Sequence, residues 1–203
     1  MCRHINKNYL ENFFFFATSI NNAIKKKILK FKNISIIYNT FNRNNSYKEL
    51  NQIKIFCKKN NIKLYITNDL KLAINIKADG LFLTNSFKKK IIINYKKPTF
   101  KIITGVHSQR EYWLKTAEIY NDLIISPIYY NNKYSNNKIL GPIKFNLLSL
   151  HWKKRKYALG GVNLNNLKKI YLTKSYGVGF ISLINIAQIK KPVCFNNKRA
   201  FKN

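Results

Sequence analysis

The chain has 203 residues, 46% of them hydrophobic, enough for one sizeable core. Three cysteines, Cys2, Cys57 and Cys194, lie far apart with no CxxC or Cys/His spacing, which argues against a disulfide framework and a zinc site. With 38 Lys+Arg against 7 Asp+Glu the net charge is +31, yet no segment has the apolar length of about 18 residues that a membrane span needs, and no secretory leader is visible. A soluble, cytoplasmic protein is expected.

Short apolar runs alternate with helical stretches along the chain. The runs are Phe13 to Thr18, Ile34 to Asn39, Lys63 to Asn68, Gly80 to Asn85, Phe100 to Gly105, Leu123 to Ile128, Lys156 to Gly161 and Gly177 to Leu183. They are near-continuously apolar instead of alternating, which suits strands covered on both faces, as in a parallel barrel. Between Ser46 and Asn61, Leu50, Ile53, Phe56 and Cys57 recur at three- and four-residue steps, the stripe of a helix with one face packed. Phe87 to Lys97 is the weakest of the connections, because Ile91-Ile92-Ile93 fits either a distorted helix or an extra strand. Ser108 with Glu111 three residues on predicts a capping box leading into Trp113, Leu114, Ala117 and Tyr120, and Asn163 predicts a cap for Leu164, Leu167 and Ile170. The pattern predicts a small single-domain α/β protein, a (β/α)8 TIM barrel over residues 1–189, with a basic, flexible tail over 190–203.

The charge has a compositional explanation. Lysines are scattered along the helices, and the chain is also rich in Asn, Ile, Tyr and Phe; all five share A/T-rich codons. A coding bias accounts for the whole set, whereas a nucleic-acid surface accounts only for lysine. No nucleic-acid-binding module is legible, so no specific nucleic-acid partner is expected, and the positive field draws phosphorylated small molecules instead.

In such barrels the working residues sit at the C-terminal ends of the strands. After the seventh strand, Gly160-Gly161 precedes a helix start, and after the eighth comes Ile181-Ser182. These four residues are a phosphate cradle, or the glycines make a tight turn that needs no ligand. Asp69, after Asn68 at the end of the third strand, is a helix cap, a Mg²⁺ ligand or both. Asp79 precedes the fourth strand, at the opposite end of the barrel, and reads as a turn residue. His107 has no partner fixed by sequence and reads as structural, while Lys133 and Lys138 occupy the long loop after the sixth strand, where a lysine can close over phosphate.

These strand ends resemble the thiamine-phosphate synthase and thiazole tautomerase superfamily. The resemblance rests on Leu64-Tyr65-Ile66-Thr67-Asn68-Asp69, on Ala78-Asp79-Gly80-Leu81-Phe82-Leu83, and on Ser126-Pro127-Ile128-Tyr129. Tyr157-Ala158-Leu159-Gly160-Gly161-Val162 and Gly177-Val178-Gly179-Phe180-Ile181-Ser182 complete it. It implies that a hydroxymethylpyrimidine diphosphate loses pyrophosphate with Mg²⁺ help and is captured by the nitrogen of a thiazole phosphate. It places Asn68 on the diphosphate, Asp69 on Mg²⁺, and Gly161, Ile181 and Ser182 on the thiazole phosphate. The chain also departs from the pattern. The basic Gln-x-Arg-x-Lys clamp after the second strand reads Tyr38-Asn39-Thr40-Phe41-Asn42, so it is missing unless the adjacent Arg43 replaces it. A second metal-binding Asp falls near Phe87, and the Thr and Lys after the sixth strand become Asn131 and Lys133. Pro127 stands where the tautomerase branch has its catalytic His, which removes that reaction's proton carrier. Two functions follow as expectations: a divergent thiamine-phosphate synthase, or a non-catalytic barrel that binds a phosphorylated ligand as a sensor or partner subunit. Oligomeric state is not legible.

Overall fold

The computed structural model describes residues 12–40, 47–85, 99–116, 120–130, 138–150, 152 and 154–181. The expectations for Arg43, Lys133, Ser182, Phe87 to Lys97 and the 190–203 tail lie outside these residues. The elements run β1 (Asn12–Ala17), α1 (Asn22–Ile28), β2 (Ile34–Tyr38), α2 (Tyr47–Lys59), β3 (Lys63–Thr67), α3 (Leu70–Asn75) and β4 (Gly80–Leu83). They continue as β5 (Lys101–Val106), α4 (Gln109–Thr116), β6 (Asp122–Ile125), α5 (Gly141–Ser149), β7 (Arg155–Leu159), α6 (Leu164–Ile170) and β8 (Gly177–Phe180). Every neighbouring pair of strands is parallel, and β8 returns to β1 to close the barrel, as the apolar runs predict.

The strands separate two cores. Outward residues such as Ile36, Leu64, Ile66 and Leu81 pack with Leu50, Ile53 and Cys57 of α2 in the larger one. The Cys57 thiol is pushed up to about 12 by burial, which leaves it protonated and unreactive. Inward residues Phe14, Ile37, Tyr65, Phe82, Ile103, Ile124 and Tyr157 form the smaller core.

Aromatic rings fit inside so narrow a barrel because glycines stand beside them. Register sets Tyr65 next to Gly80, Tyr157 next to Gly177 and Phe14 next to Gly179. A Cβ at Gly80 would come within 2.8 Å of the Tyr65 ring and run into the Lys101 carbonyl oxygen; one at Gly179 would meet Leu159 at 2.9 Å and Phe16 at 3.2 Å. Below the rings, Arg155 Nε donates to the buried Asp122 carboxylate at 3.0 Å and its guanidinium lies 5.4 Å from the Tyr176 ring centre. Lys101 is held below its usual pKa by burial and by the neighbouring Arg155 and Lys63. Asp79 works at this lower end: its carboxylate accepts from the Leu64 N–H at 2.9 Å and pairs with Lys54 at 3.6 Å, consistent with a turn residue.

Trp113 of α4 is half exposed. Gly80→Ala forces a methyl group into backbone and costs about 3 kcal/mol or more, while Gly141→Ala, at φ 61 with open space around it, costs about 1 kcal/mol. Urea unfolding of the two variants beside wild type measures both losses.

Candidate functional site

The ends of the strands open into a cavity of about 890 Å³. Its floor is apolar, made by Phe16, Phe82, Ile124 and Leu159. Phe16 and Phe82 meet edge to face, ring centres 5.2 Å apart. Neutral polar side chains from β2, β3 and β4 and the residues after them, Asn39, Thr67, Thr84 and Asn85, line one side. His107, Glu111, Lys138 and Lys144 line the other, so the charged groups gather toward α4 and α5.

Local hydrogen bonds explain why each strand end holds its shape. Asn68 sits in the left-handed region at φ 57 and clamps β3 to β4 with both ends of its amide. Its Oδ1 accepts from the Thr84 N–H at 2.9 Å, and its Nδ2 donates to the Thr84 hydroxyl at 2.7 Å. Asp69 caps α3, Oδ1 accepting from the Leu72 N–H at 2.8 Å. Neither residue fronts the cavity directly; Asn68 reaches it through Thr84. Among the described residues no group of three or more His, Cys, Asp or Glu side chains is arranged to hold a metal. Asp69 alone suits only a Mg²⁺ ion that draws most of its oxygens from substrate and water.

At β7 the chain turns through Gly160 at φ 95 and Gly161 at φ 66, a path that favours glycine. Gly160 fronts the cavity, and its carbonyl accepts from the Tyr129 N–H at 3.1 Å. A Cβ on Gly161 would collide with the carbonyl oxygens of Tyr129 and Tyr130, so close approach of the loop after β6 requires a glycine here. Asn163 then caps α6, as the sequence predicts, and Asn166 completes a capping box with it. The turn is thus accounted for by the chain itself, and Gly160 and the half-exposed Ile181 remain on the cavity wall for a ligand.

The cap of α4 differs from expectation. Ser108 Oγ accepts from the Glu111 N–H at 3.2 Å, but Glu111 returns to the His107 N–H at 2.7 Å, one residue earlier than a capping box requires. The same carboxylate oxygen lies 3.4 Å from His107 Nδ1. Glutamate is long enough to serve the backbone and the imidazole together, which gives His107 a partner that sequence reading missed. The signal was the i, i+4 spacing, obscured because Glu111 was already assigned to Ser108. Lys144 was missed because nothing distinguishes it from the other lysines.

A family model described as thiamine monophosphate synthase matches residues 16–185, most of the chain, from the end of β1 through β8. The chain belongs to the thiamine monophosphate synthase family. Among solved structures, the thiamine phosphate pyrophosphorylase from Pyrococcus furiosus superposes with a TM-score of 0.69 at 16% identity, covering 87% of each chain. An HpcH/HpaI aldolase from Desulfitobacterium hafniense gives 0.62 at 8% identity, covering 89% of this chain and 88% of its own. These two likenesses show the shared barrel fold. No curated protein matches by sequence. Pro127, which follows a cis peptide bond, fronts the cavity with a ring that has no group to transfer a proton.

Asn68→Ala removes two hydrogen bonds and a residue type that tolerates the left-handed region, so the unfolding free energy falls by about 2 kcal/mol. Urea denaturation of this variant beside Thr84→Val, which removes only the hydroxyl acceptor and loses about 1 kcal/mol, checks the clamp.

Proposed function

We propose that this protein is a divergent thiamine-phosphate synthase of thiamine biosynthesis, joining hydroxymethylpyrimidine diphosphate to thiazole phosphate with release of pyrophosphate. The observation that carries the reading is the polarised cavity at the strand ends of a family member, cationic toward α5 and apolar at its floor. In this reaction the bond between the methylene carbon and the diphosphate oxygen breaks, the electron pair leaves with pyrophosphate, and the thiazole nitrogen forms the new C–N bond. The protein's task is to stabilise the charge that collects on the leaving group.

Lys138 and Lys144 front the cavity and supply positive charge where the family's clamp after β2 is absent. Arg43 and Lys133 are proposed as further contacts to the diphosphate, with Asn68 steadying Thr84 at the mouth. The thiazole phosphate is assigned to Gly160, Gly161, Ile181 and Ser182. Mg²⁺, when bound, would neutralise diphosphate oxygens, with Asp69 as its protein ligand. The apolar floor accepts the rings and excludes water from the reacting atoms.

A second reading, a barrel that binds a phosphorylated ligand without turning it over, is favoured by one observation. Both ends of the Asn68 amide and one oxygen of Asp69 already hold the fold together.

Asp69→Asn separates the two duties of that residue, because asparagine caps a helix as well as aspartate but binds Mg²⁺ poorly. The variant is expected to melt within a few degrees of wild type and to lose about 100-fold or more of its Mg²⁺-dependent turnover. Retained turnover would reduce Asp69 to a cap. Lys138→Ala and Lys144→Ala are each expected to weaken pyrophosphate binding by about tenfold, measured by calorimetry.

A further inference from the structure

Thr67, the last residue of β3, fronts the cavity and is only 3% exposed. Register places it beside Phe82, which belongs to the inner core, so its side chain stands on the inner face of the barrel. Its Oγ1 is buried and has no hydrogen-bond partner. The backbone around it is satisfied, since the Thr67 carbonyl accepts from the Thr40 hydroxyl at 3.2 Å. A buried hydroxyl with no partner is unfavourable by comparison with a methyl group of the same shape, so packing alone favours valine at this position.

We propose that Thr67 is a ligand-binding residue, its hydroxyl hydrogen-bonding the neutral, polar-edged ring of the phosphorylated molecule that the cavity takes. The proposal rests on the function proposed above and adds the direction in which the ligand lies. Around Thr67 the described side chains on the cavity wall are Phe16, Asn39, Phe82 and Thr84, which offer apolar surface and neutral hydrogen-bonding groups. The cations Lys138 and Lys144 lie on the side of the sixth-strand loop and α5. An anionic end therefore faces α5, and a flat uncharged end lies over the Phe16–Phe82 pair with its polar edge toward β3. Because Oγ1 is buried as it stands, the hydroxyl reaches that edge when Thr67 turns about χ1, the torsion that exchanges Oγ1 with the methyl group.

The test uses Thr67→Val, which keeps the shape and removes the hydroxyl, and Thr67→Ser, which keeps the hydroxyl. Calorimetry reads binding of two probes, thiamine phosphate and inorganic pyrophosphate, and thermal melting reads the unliganded proteins. Thr67→Val is expected to melt at or above the wild-type temperature, to bind thiamine phosphate about tenfold more weakly and to bind pyrophosphate unchanged. Thr67→Ser is expected to keep thiamine phosphate affinity within about threefold. Thr67→Val with wild-type affinity for thiamine phosphate would overturn the proposal while leaving the proposed function standing, and so would a lower melting temperature with both probes weakened alike. Wild-type protein that binds neither probe would overturn both.

Discussion

Eight parallel strands closed on themselves enclose a fixed and narrow interior, and this chain fills it with rings. Tyr65, Tyr157, Phe14 and Phe82 are too large to share one barrel unless their neighbours are small, and Gly80, Gly177 and Gly179 supply the space. The glycines are required twice, because a Cβ at Gly80 or Gly177 would also strike the backbone of the adjoining strand. From this packing the rest follows: the topmost rings, Phe16 and Phe82, end the core and become the cavity floor. The apolar surface a ligand meets is therefore the upper end of the same stack that holds the strands together.

Above that floor, several groups serve the fold and the site together. Asn68 spends both ends of its amide on Thr84, Asp69 caps α3, and Gly161 makes room for the Tyr129 and Tyr130 carbonyls. These are positions at which the chain resembles its family, and each has a reason to be present that involves no ligand. Lys138 and Lys144 bring positive charge to the wall of the cavity opposite β2 and β3, and in the proposed function they take the part of a basic clamp after β2. Positive charge near a leaving diphosphate acts through distance and burial, so a cation can come from a different loop without changing its effect.

The eight strands were legible because continuous apolar runs separated by helical stretches have few other solutions, and the observed ends differ by one to three residues. The Asn163 cap was legible for the same local reason. Contacts that depend on register were not. The Asn68 clamp needs β3 aligned with β4 and a left-handed residue between them, and the inward direction of Thr67 follows only from its pairing with Phe82. Lys138 was legible from its place in the long loop after β6, whereas Lys144 carried no signal among 38 basic residues and becomes distinctive only when the cavity shows where it lies. The His107–Glu111 pair lay at a readable spacing, but one carboxylate served two donors.

The central claim is that the cavity still performs the family's coupling with its cations moved to the α5 side. The measurement that tests it most directly is formation of thiamine phosphate by the purified full chain from hydroxymethylpyrimidine diphosphate, thiazole phosphate and Mg²⁺, followed by chromatography. The account predicts product accumulating in step with pyrophosphate and a rate that falls in the double variant Lys138→Ala, Lys144→Ala. Folded wild-type protein that binds thiamine phosphate yet forms none would contradict catalysis and leave the barrel as a binding protein.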